Sequence, residues 1–446
     1  MTSKPLSGRV ASATNLARIL KTLSRDDADH WSYKRMAQRA GLHGIIRYPA
    51  MMVPRMQADV LDAVITAMPS LNRVIDPFVG SGTTLVETVR RGISFEGYDI
   101  NPLAILICRA KLLSLAPKIV ETRTKAVLDR IAVDHSCKLA ANFFGRDKWF
   151  SKVASVEISR IQRAVSAEPN KQLRQFLWVI LSETIRQTSL SRESTYKLHI
   201  RDSASASGLT RPNVRFRELV IDACNRYEAH WAESSNVYSS YHTSKARLHC
   251  GDVREKDSSS EAKAQLLLTS PPYGDNVSTI PYGQFSYLAL SWIPEEDLEG
   301  KPELRASAYS TDAASLGGSR RDYVERAVSM AGVLPSFRGF FDALCRQRRP
   351  DLEAKAASFT ADFFDAVGAS LEHLDHGGIA IWTLGERTVG GIKVPLISIC
   401  REANQFFGMY SVAEVTRNIQ SKRMPHRNSV GATMATESLL VMAKFQ

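Results

Sequence analysis

Apolar residues fall into short runs bounded by turn residues toward both ends of the chain, and into a three-to-four spacing in its middle. "NRVIDPFVGSGTTLVETVRRG" reads as strand, tight turn and helix, with Arg90, Arg91 and Gly92 suited to the helix C-terminus. "ISFEGYDINPLAILICRAKLL" predicts a second strand ending near Asp99 and a helix opening around Pro102. Upstream, Pro54 starts a helix in which Met56, Val60, Val64 and Ile65 recur at helical spacing. From about 116 to 243 helical periodicity dominates, as in "KQLRQFLWVILSETIRQTSLS". Strands return in "ARLHCGDVRE" and "AQLLLTSPPYGDN"; a less regular region covers 276–350, and a helix follows near 355–374. "GGIAIWTLGE" is a further strand, and "GMYSVAEVTRNI" and "ESLLVMAKF" make a terminal pair around the basic loop "QSKRMPHRNSVGA". The alternation predicts an α/β fold on a doubly wound, mostly parallel sheet. It divides the chain into a basic helical segment 1–45, a first part of the sheet domain 46–115, a helical insertion 116–243, and a second part 244–446.

Charge adds a partner to this picture. The formal charge of the 446 residues is +12. The insertion holds 20 Lys and Arg against 13 Asp and Glu, more than half of that excess. A polyanion is implied, nucleic acid before membrane. No apolar run reaches the roughly 18 residues of a membrane span, and the N-terminus lacks the apolar core of a signal peptide. Cys108, Cys137, Cys224, Cys250, Cys345 and Cys400 form no C-x-x-C pair and have no His cluster beside them. The expectation is buried free thiols, no metal site, and a cytoplasmic protein, nucleoid-associated if bacterial.

"DPFVGSGTT" puts Gly80 and Gly82 in a turn between strand and helix, where glycine permits positive φ and close approach of a ligand to the backbone. The helix N-terminus beyond offers N–H groups to a carboxylate or phosphate. It is not a P-loop, because no lysine follows Gly82, and it lacks the third glycine of the dinucleotide fingerprint. Asp99, at the end of the second strand, can accept from both hydroxyls of a ribose, or can cap the next helix. Asp252, past the third strand, can receive an adenine amino group, or serve the turn after Gly251. Together these residues point to a nucleoside-containing cofactor.

In the order "DPFVGSGTT", "YDINP", "GDVR" and "TSPPYGDN", the sequence resembles the class I S-adenosylmethionine-dependent DNA amino-methyltransferases of the cytosine-N4 and adenine-N6 kind. The resemblance spans roughly 45–115 and 245–290 and, more weakly, 355 to the end. It implies a seven-stranded Rossmann-like sheet with one antiparallel strand. It implies that Asp76, Pro77, Phe78, Gly80, Gly82, Thr83 and the Asn101 of "YDINP" surround S-adenosylmethionine, that Asp99 holds its ribose, and that Asp252 faces its adenine. Tyr48 and Pro49 of "IRYPAMMVP" would close the methionine end. The chain departs from compact relatives in carrying its insertion between the second and third strands.

The chemistry explains "SPPY". An exocyclic amine is a poor nucleophile because its lone pair is delocalised into the ring. Acceptors at the Ser270 side chain and the Pro271 carbonyl can draw the nitrogen toward tetrahedral geometry. Pro271 and Pro272 fix the backbone that presents that carbonyl, and Tyr273 can stack on a base flipped out of duplex DNA. Ser270 at the first position of this motif favours cytosine N4 over adenine N6 within the family. Methylation of RNA and a catalytically dead DNA-binding module are the further alternatives. Carbon-5 methylation would need a nucleophilic cysteine, usually after proline, and no Pro-Cys pair occurs. "PDLEAK" carries the letters of a nuclease core, but Asp351 and Glu353 sit at a helix start. Any restriction or defence partner would therefore be a separate chain. Three stretches compete to touch nucleic acid: "SLSRESTYKLHIRD" with "LTRPNVRFRELV" in the insertion, the region 276–350, and the loop "SKRMPHRN" from Lys422 to Asn428.

Overall fold

The computed structural model describes residues 4–26, 30–33, 40–202, 206–234, 245–255, 262–274, 279–419 and 436–444. Its sheet has seven strands: β1 (Arg73–Asp76), β2 (Ser94–Asp99), β3 (Ala246–Cys250), β4 (Ala264–Thr269), β5 (Leu374–Gly385), β8 (Met409–Asn418) and β9 (Thr436–Lys444). β6 (Thr388–Val389) and β7 (Ile392–Lys393) form a separate small hairpin. The order is β3-β2-β1-β4-β5-β9-β8, and β9 runs antiparallel to both neighbours while the others are mutually parallel. This is the class I methyltransferase sheet that the resemblance implied.

The central strands read as unbroken apolar runs because both faces are covered. Val74, Leu266, Leu268, Ile379 and Ile381 face one core, closed by α1 (Lys4–Asp26), α2 (Pro54–Ala67) and α3 (Thr83–Val89). Their neighbours Ile75, Leu267, Ala380 and Trp382 alternate to the other face.

α4 (Pro102–Lys111) explains where the helical residues 117–234 sit. Apart from Arg109 and Lys111 its residues are apolar on every side, so it is buried almost all round. Ile105 and Cys108 face the sheet core, while Leu103, Leu106, Ile107 and Ala110 join a third core. That core is built with α5 (Pro117–Val133), α6 (Lys152–Ser166), α7 (Lys171–Thr188) and α8 (Pro212–Ser234).

Two expectations change. The region 276–350 is largely helical: α9 (Tyr282–Leu290), α10 (Tyr323–Val333) and α11 (Pro335–Cys345) lie within it. These helices are short, α10 and α11 bury one face only, with Phe337, Phe340 and Leu344 of α11 at three-to-four spacing, and the intervening turns of Gly, Pro and Arg mask the pattern. The thiols are free, but Cys108 and Cys400 alone are buried, and Cys137 is exposed. Cys137 lies just after α5, within the exposed residues 135–140.

Candidate active site

The ends of β1 to β4 converge where the strand order reverses between β1 and β4, the switch point at which open α/β sheets bind ligands. From β1 the chain turns through Pro77 to Gly82 into α3. Gly80 and Gly82 have φ of +51° and +75°. A Cβ on Gly82 would also lie 2.8 Å from the Cys108 sulfur, so this position is closed by both conformation and space.

The turn is held from two sides. Asp99 accepts the Gly80 N–H (2.9 Å) and the Asn101 N–H (2.8 Å). From below, fully buried Lys111 donates from Nζ to the Ser81 carbonyl (2.6 Å). Burial lowers the Lys111 pKa to about 8 and raises that of Asp99 to about 6, the latter against its two N–H donors. The cap of α4 is Asn101, whose Oδ1 accepts the Leu103 N–H (3.1 Å). Asp99 is therefore not the helix cap, and it lines the cleft.

Asn101 also organises the opposite wall. Its Nδ2 donates to Tyr48 Oη (3.0 Å) and to Ser286 Oγ on α9 (2.8 Å). Tyr48 in turn stacks on Tyr282 at 5.7 Å between ring centres.

Asp252 lines the cleft and is tied into its turn. Arg254 reaches both carboxylate oxygens, from Nε (3.0 and 3.1 Å) and Nη2 (2.6 Å), and its own N–H is accepted at 2.9 Å. Asp252 thus serves the turn after Gly251, one of its two sequence readings, while lining the cleft. Arg254 continues to Asp362 (2.9 Å), which accepts the Gly317 N–H (2.7 Å). This links the end of β3 to the lip formed by Thr311, Ser315 and Leu316.

β4 ends at Thr269, and Ser270 and Pro272 come onto the cleft with Pro271 buried beside them. Tyr273 does not line the cleft. Its hydroxyl lies 3.2 Å from Ser270 Oγ and donates to Glu437 Oε1 on β9 (3.3 Å), and Glu437 pairs with Arg417 on β8. Asp76 lies beneath the floor, fully buried. Its Oδ1 accepts from Thr269 Oγ1 (2.6 Å) and from the Phe78 N–H (3.1 Å), clamping β1 to β4. Burial raises its pKa to about 6.

The resulting cleft holds about 870 Å³ of space, its open mouth included. Tyr48, Pro49, Pro77, Phe78, Gly80, Thr83, Asp99, Asn101, Asp252, Ser270 and Pro272 line it; Asp76, Gly82, Pro271 and Tyr273 stand behind. Met51, Met52, Val253 and Leu316 complete apolar walls around the Asp99 and Asp252 carboxylates. Sequence reading missed Lys111, Arg254 and Glu437. The signal for Lys111 was a lone cation in an otherwise apolar helix face.

Asp351 sits in the first turn of α12 (Pro350–Glu372) and pairs with Arg349 (2.9 Å). Among the described residues no His, Cys, Asp and Glu cluster could hold a metal. The "SKRMPHRN" loop lies outside the described residues.

No protein-family model matches the chain. It is 25% identical over 422 residues to the type II methyltransferase M.MvaI of Kocuria varians, covering 89% of this chain and 90% of that protein. It is 38% identical over 71 residues to the type II methyltransferase M.MjaII of Methanocaldococcus jannaschii, covering 16% and 13% respectively.

Proposed function

As a relative of the type II methyltransferases with the class I methyltransferase fold, this chain is a methyltransferase, and we propose that it methylates the exocyclic N4 of cytosine at a specific site in duplex DNA, with S-adenosylmethionine as donor. The observation that carries the reading is a single cleft holding the glycine turn, two carboxylates on neighbouring strand ends, and Ser270 with Pro272. That donor set suits an adenosine. Asp99 would accept from ribose hydroxyls and Asp252 from the adenine amine, between the apolar faces of Phe78 and Val253. Tyr48 and Pro49 would close the remaining side.

S-adenosylmethionine supplies an electrophilic methyl group. The chain's own residues prepare the acceptor. Ser270 Oγ and the Pro271 carbonyl take hydrogen bonds from the amine and turn its lone pair out of the ring. The prolines hold that carbonyl in place before the base arrives. Tyr273 stands behind the cleft with its hydroxyl between Ser270 and Glu437, and in this arrangement it steadies the Ser270 acceptor. The nitrogen lone pair forms the new N–C bond, the pair of the broken C–S bond stays on sulfur, and the amine releases one proton to solvent. The nitrogen becomes acidic as the bond forms, so no strong general base is required.

Adenine N6 is the second reading; Ser270 at the head of the motif weighs toward cytosine. Duplex DNA incubated with methyl-labelled cofactor and digested to nucleosides should yield N4-methylcytosine. N6-methyladenine would move the target, and label entering RNA alone would reject DNA. Ser270→Ala should lower transfer by about 10²–10³-fold while calorimetry finds cofactor binding nearly unchanged. Wild-type transfer by Ser270→Ala would defeat the catalytic assignment.

A further inference from the structure

A second groove, of about 570 Å³, lies beside the cleft, between α7, the stretch 189–198 and α9. We propose that it seats backbone phosphates of the DNA strand flanking the flipped base; this rests on the function proposed above. Its lining carries Arg47, Arg186, Arg192 and Lys197 against Glu193, and with Glu183 behind it pairing with Arg186 the balance stays positive. Phosphodiester anions are the complement of that balance.

The groove is preformed. An antiparallel bridge pairs Ser191 with Ile200, and the Arg192 N–H donates to the His199 carbonyl (2.8 Å). Leu198 N–H donates to Gln284 Oε1 on α9 (3.1 Å), fixing the stretch against that helix. Arg186 is held by Glu183 (2.9 Å from Nε, 2.5 Å from Nη2). Arg47 Nε is buried and has no hydrogen-bond partner among the described residues. A buried guanidinium N–H left unpaired is costly, and a phosphate oxygen would satisfy it.

The groove also adjoins the cleft. Neighbouring residues of one segment serve both: Arg47 lines the groove and Tyr48 the cleft. On α9, Tyr282 lines the cleft and Phe285 the groove, with the Tyr48 ring packed against both (5.7 and 5.6 Å). A strand whose base enters the cleft would carry its adjacent phosphates along this shared wall. The candidate "SLSRESTYKLHIRD" thereby acquires a role at the backbone, which sets position and orientation without reading sequence.

Arg192 and Lys197 are exposed, so Arg192→Gln/Lys197→Gln should fold as the wild type, checked by thermal melting. Anisotropy of a short fluorescein-labelled duplex of mixed sequence, titrated with KCl, provides the readout. The double variant should bind about 10-fold more weakly, with the log–log salt slope shallower by about 2, and with cofactor binding unchanged by calorimetry. An unchanged slope and affinity, alongside intact methyl transfer by the wild type, would overturn the groove alone. Salt-dependent duplex binding lost in the variant, with no methyl transfer by the wild type, would overturn the enzymatic reading and leave the groove standing. Tighter binding of a labelled RNA hairpin than of the duplex, weakened by the same variant, would replace DNA as the occupant.

Discussion

At the scale of single residues, two buried ionisable groups set the glycine turn. Asp99 titrates near 6 because burial disfavours its charge. A ribose hydroxyl donates best to the ionised form, so the ligand stabilises the charged carboxylate that burial penalises. Acidification through about 6 should therefore weaken S-adenosylmethionine binding, and Asp99→Asn should bind more weakly and flatten that step. Calorimetry from pH 5 to 8 checks it, the range chosen to bracket the shift; a pH-independent wild-type affinity would refute it. Lys111 acts one layer below. It touches the turn through the Ser81 carbonyl and does not line the cleft. Lys111→Met removes a charge-assisted hydrogen bond worth about 1.5–3 kcal/mol. It should raise the KM for cofactor about 10-fold or more, leave kcat within a small factor, and be partly rescued in Lys111→Arg. A fall in kcat with unchanged KM would remove Lys111 from the turn's support.

At the scale of elements, strand ends deliver the chemistry and distant elements hold it in place. Tyr273 leaves β4 but is anchored by Glu437 of β9, which Arg417 of β8 fixes in turn. Glu437→Ala removes the Tyr273 acceptor and leaves Arg417 without its partner on β9. Methyl transfer should fall about 10-fold or more, through loss of orientation, while cofactor affinity holds. Equal loss of both would mean a general loosening of the sheet edge. α9 shows the same logic: Asp312 Oδ1 accepts the Gly283 N–H (2.9 Å) from outside the helix, and burial holds its pKa near 6. These partners explain what sequence could and could not reveal. Gly80, Asp99, Asp252 and Ser270 were legible because each stands in a short string at the end of an apolar run. Lys111, Arg254, Asp312 and Glu437 were not, because their partners are set by topology. α9 looked irregular because its N-terminal acceptor, Asp312, comes from a distant part of the chain.

At the scale of the whole molecule, the cleft is assembled from parts far apart in the chain. Tyr48 to Met52, the glycine turn, Asp252 and the lip Thr311–Leu316 meet across it. Arg254, in the same turn as Asp252, ties that residue to Asp362 on the distant α12. A ligand filling the cleft touches all of these parts at once, and it stabilises the folded state by mass action. At a hundred times Kd the gain is about 2.7 kcal/mol, enough for an upward shift of Tm by a few degrees. Arg254→Ala frees Asp252 and loosens the lip, so the free protein should melt lower. Its ligand-induced shift, measured at the same cofactor concentration, should also shrink, because ordering the lip then draws on binding energy. If the variant melted lower yet kept the full shift, Arg254 would be a strut of the fold with no part in shaping the cleft. If it melted as the wild type and kept the shift, the bridge from Asp252 to Asp362 would be dispensable, and the lip would be held by Arg326, which also pairs with Asp362.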